Sequence, residues 1–256
     1  MSGLVAVGVD AGGTTTRAVV SENGAVAGEA QGSGANATAL GIDDAANAIV
    51  TVVRRALDHR KPDTIVVGAA GAGRLSVADA LAAMIGNAFP DARVAVEGDT
   101  AIALRAAIPN GPGIVLIAGT GSTAYAENGD QRALGAADRS SYLDALYDAP
   151  LVPATIAALA PSIIAFAGKG NRAAAKIVQQ AGLELGDLIK GAAKAVGLLE
   201  ASPQVALAGG LFAENSLLSF LLETRIVGDL PGALVVRGGD AAETGALRIA
   251  QTLGVA

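Results

Sequence analysis

An aspartate followed by small polar residues stands near the N-terminus, where residues 7–17 read VGVDAGGTTTR. Asp10 ends an apolar run, and a turn of small residues follows it: Gly12, Gly13, Thr14, Thr15 and Thr16. Such a turn exposes backbone N–H groups, to which the threonine hydroxyls add donors, and a concavity of donors binds phosphate oxygens. A carboxylate at the strand end can hold Mg²⁺ directly or through water. The alternative is an ordinary glycine hairpin with an incidental aspartate, and this stretch alone does not decide between the two.

Two further glycine-rich stretches favour the phosphate interpretation. VLIAGTGSTAY at 115–125 places a second turn between two apolar runs, and VALAGGL at 205–211 joins a strand pattern to a helix pattern. The residues concerned are Gly119, Thr120, Gly121 and Ser122 in the second turn, and Gly209, Gly210 and Leu211 in the third stretch. Glycines in the third stretch would let the backbone lie flat against a planar group such as adenine. Each stretch alone could be a tight turn, but the three in this order predict a triphosphate gripped from both sides.

Two other side chains are candidates for binding an acceptor molecule. Asp99 follows the strand pattern ARVAVEG at 92–98, and ligands of α/β sheets bind at the carboxyl ends of strands. Its alternative role is to cap the helix that follows. Asn36 lies in the glycine-rich loop GSGANAT at 32–38, where its amide could both donate to and accept from hydroxyl groups. Its alternative role is that of a turn asparagine.

The elements that must position these residues alternate between strands and helices. Strands are predicted at 4–10, 15–20, 25–31, 64–70, 92–98, 113–119, 122–128, 204–209 and 233–238. Helices are predicted at 42–59, 76–88, 100–107, 153–167, 171–181, 184–199, 214–224 and 241–253. Each half of the chain opens with a hairpin and continues with strand–helix units, which indicates an α/β fold with an internal duplication. The boundary is expected at 109–112, whose sequence PNGP favours a turn.

Composition excludes several classes of function. The 256-residue chain has a net charge of −6 and no basic cluster, so no nucleic-acid partner is expected. It has no cysteine, which excludes disulfides, thiolate zinc sites and cysteine-held iron–sulfur clusters. Neither a signal peptide nor a membrane span is recognisable, and a cytoplasmic protein is expected.

With these motifs in view, the chain resembles the sugar kinase, heat-shock protein and actin superfamily, and within it the N-acetylglucosamine kinase and BadF/BadG-type ATPase group. The resemblance rests on VGVDAGGTTTRAVV, GIVLIAGTGSTAY and VALAGGLFAEN, and also on VVGAAGAGR at 66–74 and VEGDTAIALRAA at 96–107. It implies two actin-like (ribonuclease H-like) domains, 1–110 and 111–240, flanking a nucleotide cleft, with a last helix at about 241–256 packing back on the first domain.

The resemblance also implies an activity, an ATP-dependent kinase that phosphorylates a hydroxyl of an amino sugar such as N-acetylglucosamine or glucosamine. ATP and Mg²⁺ would be the cofactors, and Asp10 would lie on the metal side. Asp99 would be the catalytic base, and Asn36, Asp99, Thr120 and Gly121 would contact the sugar. The role of Arg74 stays open, and a homodimer is possible.

The sequence departs from the resembling kinases after the second hairpin. They carry a glycine–tryptophan stretch followed by Gly-Asp-Glu-Gly, whereas here QRALG at 131–135 runs directly into residues 136–150 and the chain has no Trp. Either the protein lacks this segment or residues are omitted from the sequence between about 135 and 142; we expect the second. Two alternative functions remain, a non-catalytic nucleotide or sugar sensor and an ATPase that activates a partner enzyme. Activators of the second kind hold an iron–sulfur cluster through cysteines, which this chain lacks.

Overall fold

The structure, a computed structural model, describes residues 3–70, 72, 75–118, 121–135, 157–212 and 215–255. The strands in chain order are β1 Val5–Ala11, β2 Thr15–Glu22, β3 Ala25–Ser33, β4 Thr64–Ala69, β5 Arg93–Gly98, β6 Gly113–Ala118, β7 Ser122–Asn128, β8 Gln131–Leu134, β9 Gln204–Ala208 and β10 Leu234–Arg237. The helices are α1 Ala37–Leu40, α2 Ile42–Leu57, α3 Leu75–Ala88, α4 Asp99–Ala107, α5 Ala160–Gly168, α6 Arg172–Ala195, α7 Leu217–Asp229 and α8 Ala242–Val255. A 3₁₀ turn spans Gly210–Phe212.

The strands form two five-stranded mixed sheets with the same topology. Their orders are β3-β2-β1-β4-β5 and β8-β7-β6-β9-β10. In each sheet the central strand pairs antiparallel with the strand that follows it in the chain and parallel with a strand reached through a helical connection. The α/β class and the internal duplication predicted from the sequence are therefore confirmed.

The chain divides into two compact units. The first comprises Met1–Pro109 and Asp240–Ala256, and the second comprises Asn110–Gly239. None of the helices in the described ranges is long and apolar enough to cross a membrane.

The first unit is layered, with helices on both faces of its sheet. Side chains of β1 alternate between the faces, as the period of a strand requires. Val5, Val7 and Val9 pack with α2 and α3, while Ala6 packs with α4 and α8. Because both faces are covered, β1 is apolar almost throughout.

Helix α8 lies against β1 at Gly8, and this contact requires a glycine. A Cβ at position 8 would lie 2.2 Å from the backbone nitrogen of Leu247 and 2.4 Å from the carbonyl oxygen of Glu243. The close approach brings the first turn of α8 beside the C-terminal end of β1, where Asp10 is located.

In the second unit, the structure corrects the prediction of two helices at 171–181 and 184–199. Residues Arg172–Ala195 form one continuous helix, α6. Its internal glycines do not end it, because they allow α7 to pack closely. A Cβ at Gly182 would touch Leu221 at 3.6 Å, and one at Gly186 would lie 2.7 Å from Cγ of Arg225. The helix predicted at 214–224 begins later, at Leu217, after the 3₁₀ turn.

Strand β8 was not predicted. Gln131–Leu134 pairs antiparallel with β7 and completes the second sheet. The sequence has no Gly-Asp-Glu-Gly segment after this strand, and the expectation that residues are omitted between about 135 and 142 stays a prediction. Residues 136–156, including the start of the helix predicted at 153–167, lie outside the described residues.

Candidate functional site

The predicted phosphate-binding turn joins β1 to β2 as a tight hairpin. The backbone N–H of Gly12 donates to the carbonyl oxygen of Thr15 at 3.1 Å, which leaves Gly13 and Thr14 exposed at the tip. Thr16 pairs with Ala11, and its side chain is completely buried on the face that packs on α2. Strand alternation turns the Thr16 hydroxyl into the core, away from the surface of the turn, and the predicted contact of Thr16 with phosphate stays a prediction. The surface of the turn is formed by Gly12, Gly13, Thr14 and Thr15.

The loop before α1 packs directly on this turn. The backbone N–H of Ala35 donates to the carbonyl oxygen of Gly12 at 3.0 Å, and a Cβ at Gly34 would lie 2.2 Å from the carbonyl oxygen of Gly13. Asn36 follows in the same loop, and its Oδ1 accepts a hydrogen bond from the N–H of Thr38 at 2.9 Å, which caps α1. Asn36 therefore caps a helix, a role the sequence analysis did not consider, and its NH₂ group makes no hydrogen bond within the described part of the chain.

Asp10 lies at the same edge of the sheet in an acidic environment. The pKa of its carboxyl is raised from 3.8 to about 6, chiefly by burial and in addition by the charges of Glu243 and Asp99, while Arg17 opposes the shift. Arg17 is the direct cross-strand neighbour of Asp10 on β2. The excess of negative charge around Asp10 makes this place attractive for a cation.

Asp99 is the first residue of α4 and is exposed. Its Oδ1 accepts a hydrogen bond from the backbone N–H of Thr100 at 2.9 Å, while the N-cap position itself is held by Gly98. The carboxylate therefore supports the helix start and faces solvent. The register pairs Ala11 with Ala69 and Ala69 with Gly98, so Asp99 lies at the same edge of the sheet as Asp10, two strands away, and its charge contributes to raising the pKa of Asp10.

Sequence reasoning missed Glu243. It lies in the first turn of α8 and affects the pKa of Asp10 more than Arg17 or Asp99 does. In the sequence, Glu243 could be recognised only as an acidic residue within GGDAAETGALRIA at 238–250, at the start of the helix that was expected to pack on the first domain. Nothing in its spacing indicates a partnership with Asp10 at the opposite end of the chain.

The carboxylate oxygens at this edge of the sheet are suited to bind Mg²⁺ together with phosphate oxygens and water. Within the described ranges, no group of three acidic or histidine side chains could hold a metal ion by itself. Mg²⁺ commonly binds through one or two carboxylates together with phosphate oxygens and water. Asp10 matches this pattern, since it is a partly buried carboxylate next to the exposed turn of Gly12–Thr15.

The second turn is described only in part. Gly119 and Thr120 lie outside the described residues, as does Arg74. Gly121 is exposed, and Ser122 begins β7 opposite Ala118. This hairpin occupies the same topological position in the second sheet as Gly12–Thr15 does in the first.

A cavity of about 670 Å³ lies in the second unit at the third predicted stretch. Gly210 and Leu211 line it, together with residues of α5 and the start of α7. Gly209 does not line it. Its φ is +103°, and a Cβ there would lie 2.1 Å from the carbonyl oxygen of Ala118, so this glycine allows the chain to turn tightly against β6.

The structure thus gathers Asp10, the turn of Gly12–Thr15, the loop of Asn36 and Asp99 at one end of the first sheet. Gly210 and Leu211 line a cavity of the second unit.

Comparison with known structures supports the fold. The chain is 21% identical to a candidate N-acetylglucosamine kinase from Chromobacterium violaceum, with a TM-score of 0.66 over 96% of this chain and 99% of that one. A candidate N-acetylglucosamine kinase from Porphyromonas gingivalis gives 16% identity and a TM-score of 0.64 over 98% and 99%. A ROK family glucokinase from Streptomyces griseus, solved with glucose and AMPPNP, gives 18% identity and a TM-score of 0.60 over 97% and 98%.

These similarities show that the two units have the actin-like fold of sugar kinases. The search of curated proteins found no match. The family model described as the BadF/BadG/BcrA/BcrD ATPase family matches residues 7–138, just over half of the chain. This chain therefore belongs to the BadF/BadG/BcrA/BcrD ATPase family.

Proposed function

We propose that this protein is an ATP-dependent kinase that phosphorylates a hydroxyl group of an amino sugar. The observation that carries the proposal is the arrangement in the first unit. Asp10 and Asp99 lie at the same edge of the sheet, where the Gly12–Thr15 turn packs on the loop of Asn36. Phosphoryl transfer needs this combination of phosphate-binding donors, an acid on the metal side and a carboxylate for the acceptor hydroxyl.

Each group has a defined task in this proposal. The N–H and hydroxyl groups of Gly12–Thr15 bind and orient phosphate oxygens. Asp99 accepts the proton of the attacking hydroxyl as the new O–P bond forms and the bond to the leaving ADP oxygen breaks. The NH₂ group of Asn36 donates to a sugar oxygen. Mg²⁺ held by Asp10, with phosphate and water, would neutralise charge on the phosphates.

The base of ATP is assigned to the cavity lined by Gly210 and Leu211. Its lining is mainly apolar, as a site for a flat heteroaromatic ring requires. Sugar kinases among the similar structures, one of them solved with AMPPNP, support the choice of nucleotide and of acceptor class.

The proposal is tested by coupled measurement of ADP release over a panel of amino and neutral sugars, comparing wild type with Asp99→Asn. An asparagine at this position can still accept the hydrogen bond from Thr100, so the helix start is retained while the base is lost. We expect kcat with the best sugar to fall by at least about 100-fold. Asp130→Asn, at an exposed turn, is the matched control and should retain activity. Retention of full activity by Asp99→Asn would refute the assignment of the base.

A second candidate is a nucleotide or sugar sensor without catalysis. It is favoured by the absence after residue 135 of the Gly-Asp-Glu-Gly segment that the resembling kinases carry. Binding of ATP without sugar-stimulated ADP release from the wild-type protein would support the sensor and exclude the kinase.

A further inference from the structure

The cavity in the second unit has few polar side chains. Its described lining consists of Pro161, Ile164, Ala165, Gly168, Gly210, Leu211, Asn215, Ser216, Leu217 and Phe220. Only Asn215 and Ser216 in this set carry polar side-chain atoms. Within the described lining, the hydrogen-bond donors and acceptors of these two side chains therefore determine which polar group of a ligand can be bound.

Ser216 is already engaged in capping α7. Its Oγ accepts a hydrogen bond from the backbone N–H of Ser219 at 3.2 Å and lies 3.2 Å from Oγ of Ser219. Capping stabilises the start of a helix, so one lone pair of the Ser216 hydroxyl is committed to the backbone of α7.

Asn215 is held in one orientation by Arg237. Nη1 of Arg237 donates to Oδ1 of Asn215 at 2.5 Å, and Nε of the same guanidinium donates to Oε1 of Glu223 at 2.5 Å. A guanidinium has donors only, so the amide group that meets it must present its oxygen. The NH₂ group of Asn215 is thereby left as a donor at the cavity that Asn215 lines.

We propose that the Asn215 NH₂ group donates a hydrogen bond to an unprotonated ring nitrogen of a purine bound in this cavity, and that Arg237 is the positioning residue that orients this amide. The inference rests on the proposed function, which places the base of ATP here. It adds the amide group that hydrogen-bonds to the edge of the base, and the Arg237–Glu223 ion pair that fixes the orientation of this amide. Glu223 holds the opposite side of the guanidinium, so Arg237 cannot turn away without breaking both interactions.

The test compares ATP with its 1-deaza, 3-deaza and 7-deaza analogues, each of which replaces one ring nitrogen by C–H. Binding to the full-length protein is measured by isothermal titration calorimetry in the presence of Mg²⁺. We expect one analogue to bind wild type about five- to tenfold more weakly than ATP, as the loss of one hydrogen bond predicts. Asn215→Asp keeps an oxygen for Arg237 but removes the donor, so ATP should bind this variant more weakly and the difference between ATP and that analogue should disappear.

Arg237→Met should reduce the same difference, because the amide is then free to rotate. The matched control is Arg225→Met, which removes an arginine on α7 that pairs with Asp187 and Asp229 and has no contact with Asn215 among the described residues. This control should keep the full difference. A purely structural role of Arg237 would weaken ATP and the deaza analogue equally.

The outcomes separate this inference from the proposed function. Wild-type protein that binds ATP but discriminates against none of the three analogues would overturn the inference alone. So would Asn215→Asp or Arg237→Met variants that keep the full difference. If wild type binds no ATP at all, both the proposed function and this inference are refuted.

Discussion

Replacing Asp10 by asparagine should make the protein more stable at neutral and alkaline pH. The Asp10 carboxyl has a pKa of about 6 in the folded chain, against an ordinary value of 3.8, chiefly because it is buried and faces Glu243. At about 1.36 kcal/mol per pKa unit, the ionised carboxylate costs the folded state about 3 kcal/mol. The asparagine side chain has a similar shape and no charge, so Asp10→Asn should recover most of this free energy of unfolding.

The pH dependence has a definite sign. The folded protein holds the Asp10 proton more tightly than the unfolded chain does, so stability falls as pH rises from about 4 to 6, and the whole cost is present above pH 6. The advantage of Asp10→Asn should therefore be about 3 kcal/mol at pH 8 and below about 1 kcal/mol at pH 4.

Urea unfolding without Mg²⁺ or nucleotide, at both pH values, measures these free energies directly. For a chain of this length, thermal unfolding at pH 8 should show a Tm higher by about 6–12 °C. Asp130→Asn, which removes an exposed carboxylate, is the control and should change stability little. An Asp10→Asn variant that is less stable than wild type at pH 8, or whose advantage does not depend on pH, would refute the reasoning. The same variant should lose Mg²⁺-dependent nucleotide binding, because the Asp10 carboxylate that destabilises the folded chain is also the group that would hold the metal ion.

Three further predictions concern stability. Gly8→Ala should destabilise the first unit by at least about 1–3 kcal/mol in urea unfolding, because the new methyl group would overlap the backbone of Leu247; an unchanged midpoint would contradict the close packing of α8 on β1. Gly86→Ala, inside α3 with no atom near the added Cβ, should instead stabilise by about 0.5–1 kcal/mol in the same assay, and a loss of stability would refute this. Arg248→Met should lower the free energy of unfolding by about 1–3 kcal/mol, because the guanidinium donates hydrogen bonds to two carbonyl oxygens at the end of α4 and to the carboxylate of Asp240. Exchange of backbone amide hydrogens should increase first at the start of α8. Unaltered protection of these amides would argue against this role.

Local sequence patterns predicted most of the elements correctly. The turn after Asp10, the apolar runs on either side of it and the restart of the pattern near residue 113 are short-range features. They depend on backbone freedom and on periodicity, both of which can be read from neighbouring residues. Strand β8 escaped prediction because QRAL carries almost no alternation, and it forms only because β7 offers an edge to pair with.

For helix α6, the sequence predicted a break that the structure does not have. Gly182, which lowers helix propensity, lies in the gap between the predicted helices at 171–181 and 184–199, whereas in the folded chain it lies in the packed contact with α7. A local preference worth about 1 kcal/mol is outweighed by burial of the surrounding apolar face. Such a contact joins residues distant in the sequence, and only the folded chain reveals it.

The sequence by itself determined which residues could meet a phosphate, since glycines, threonines and an acid at the end of a strand form a donor-rich turn wherever the rest of the chain lies. Tertiary structure decided which of them are available. It turned the Thr16 side chain into the core, brought Glu243 beside Asp10 through the contact of α8 with Gly8, and fixed the amide of Asn215 through Arg237. These outcomes depend on which elements pack together, and electrostatic and packing interactions between distant segments arise only when the chain is folded.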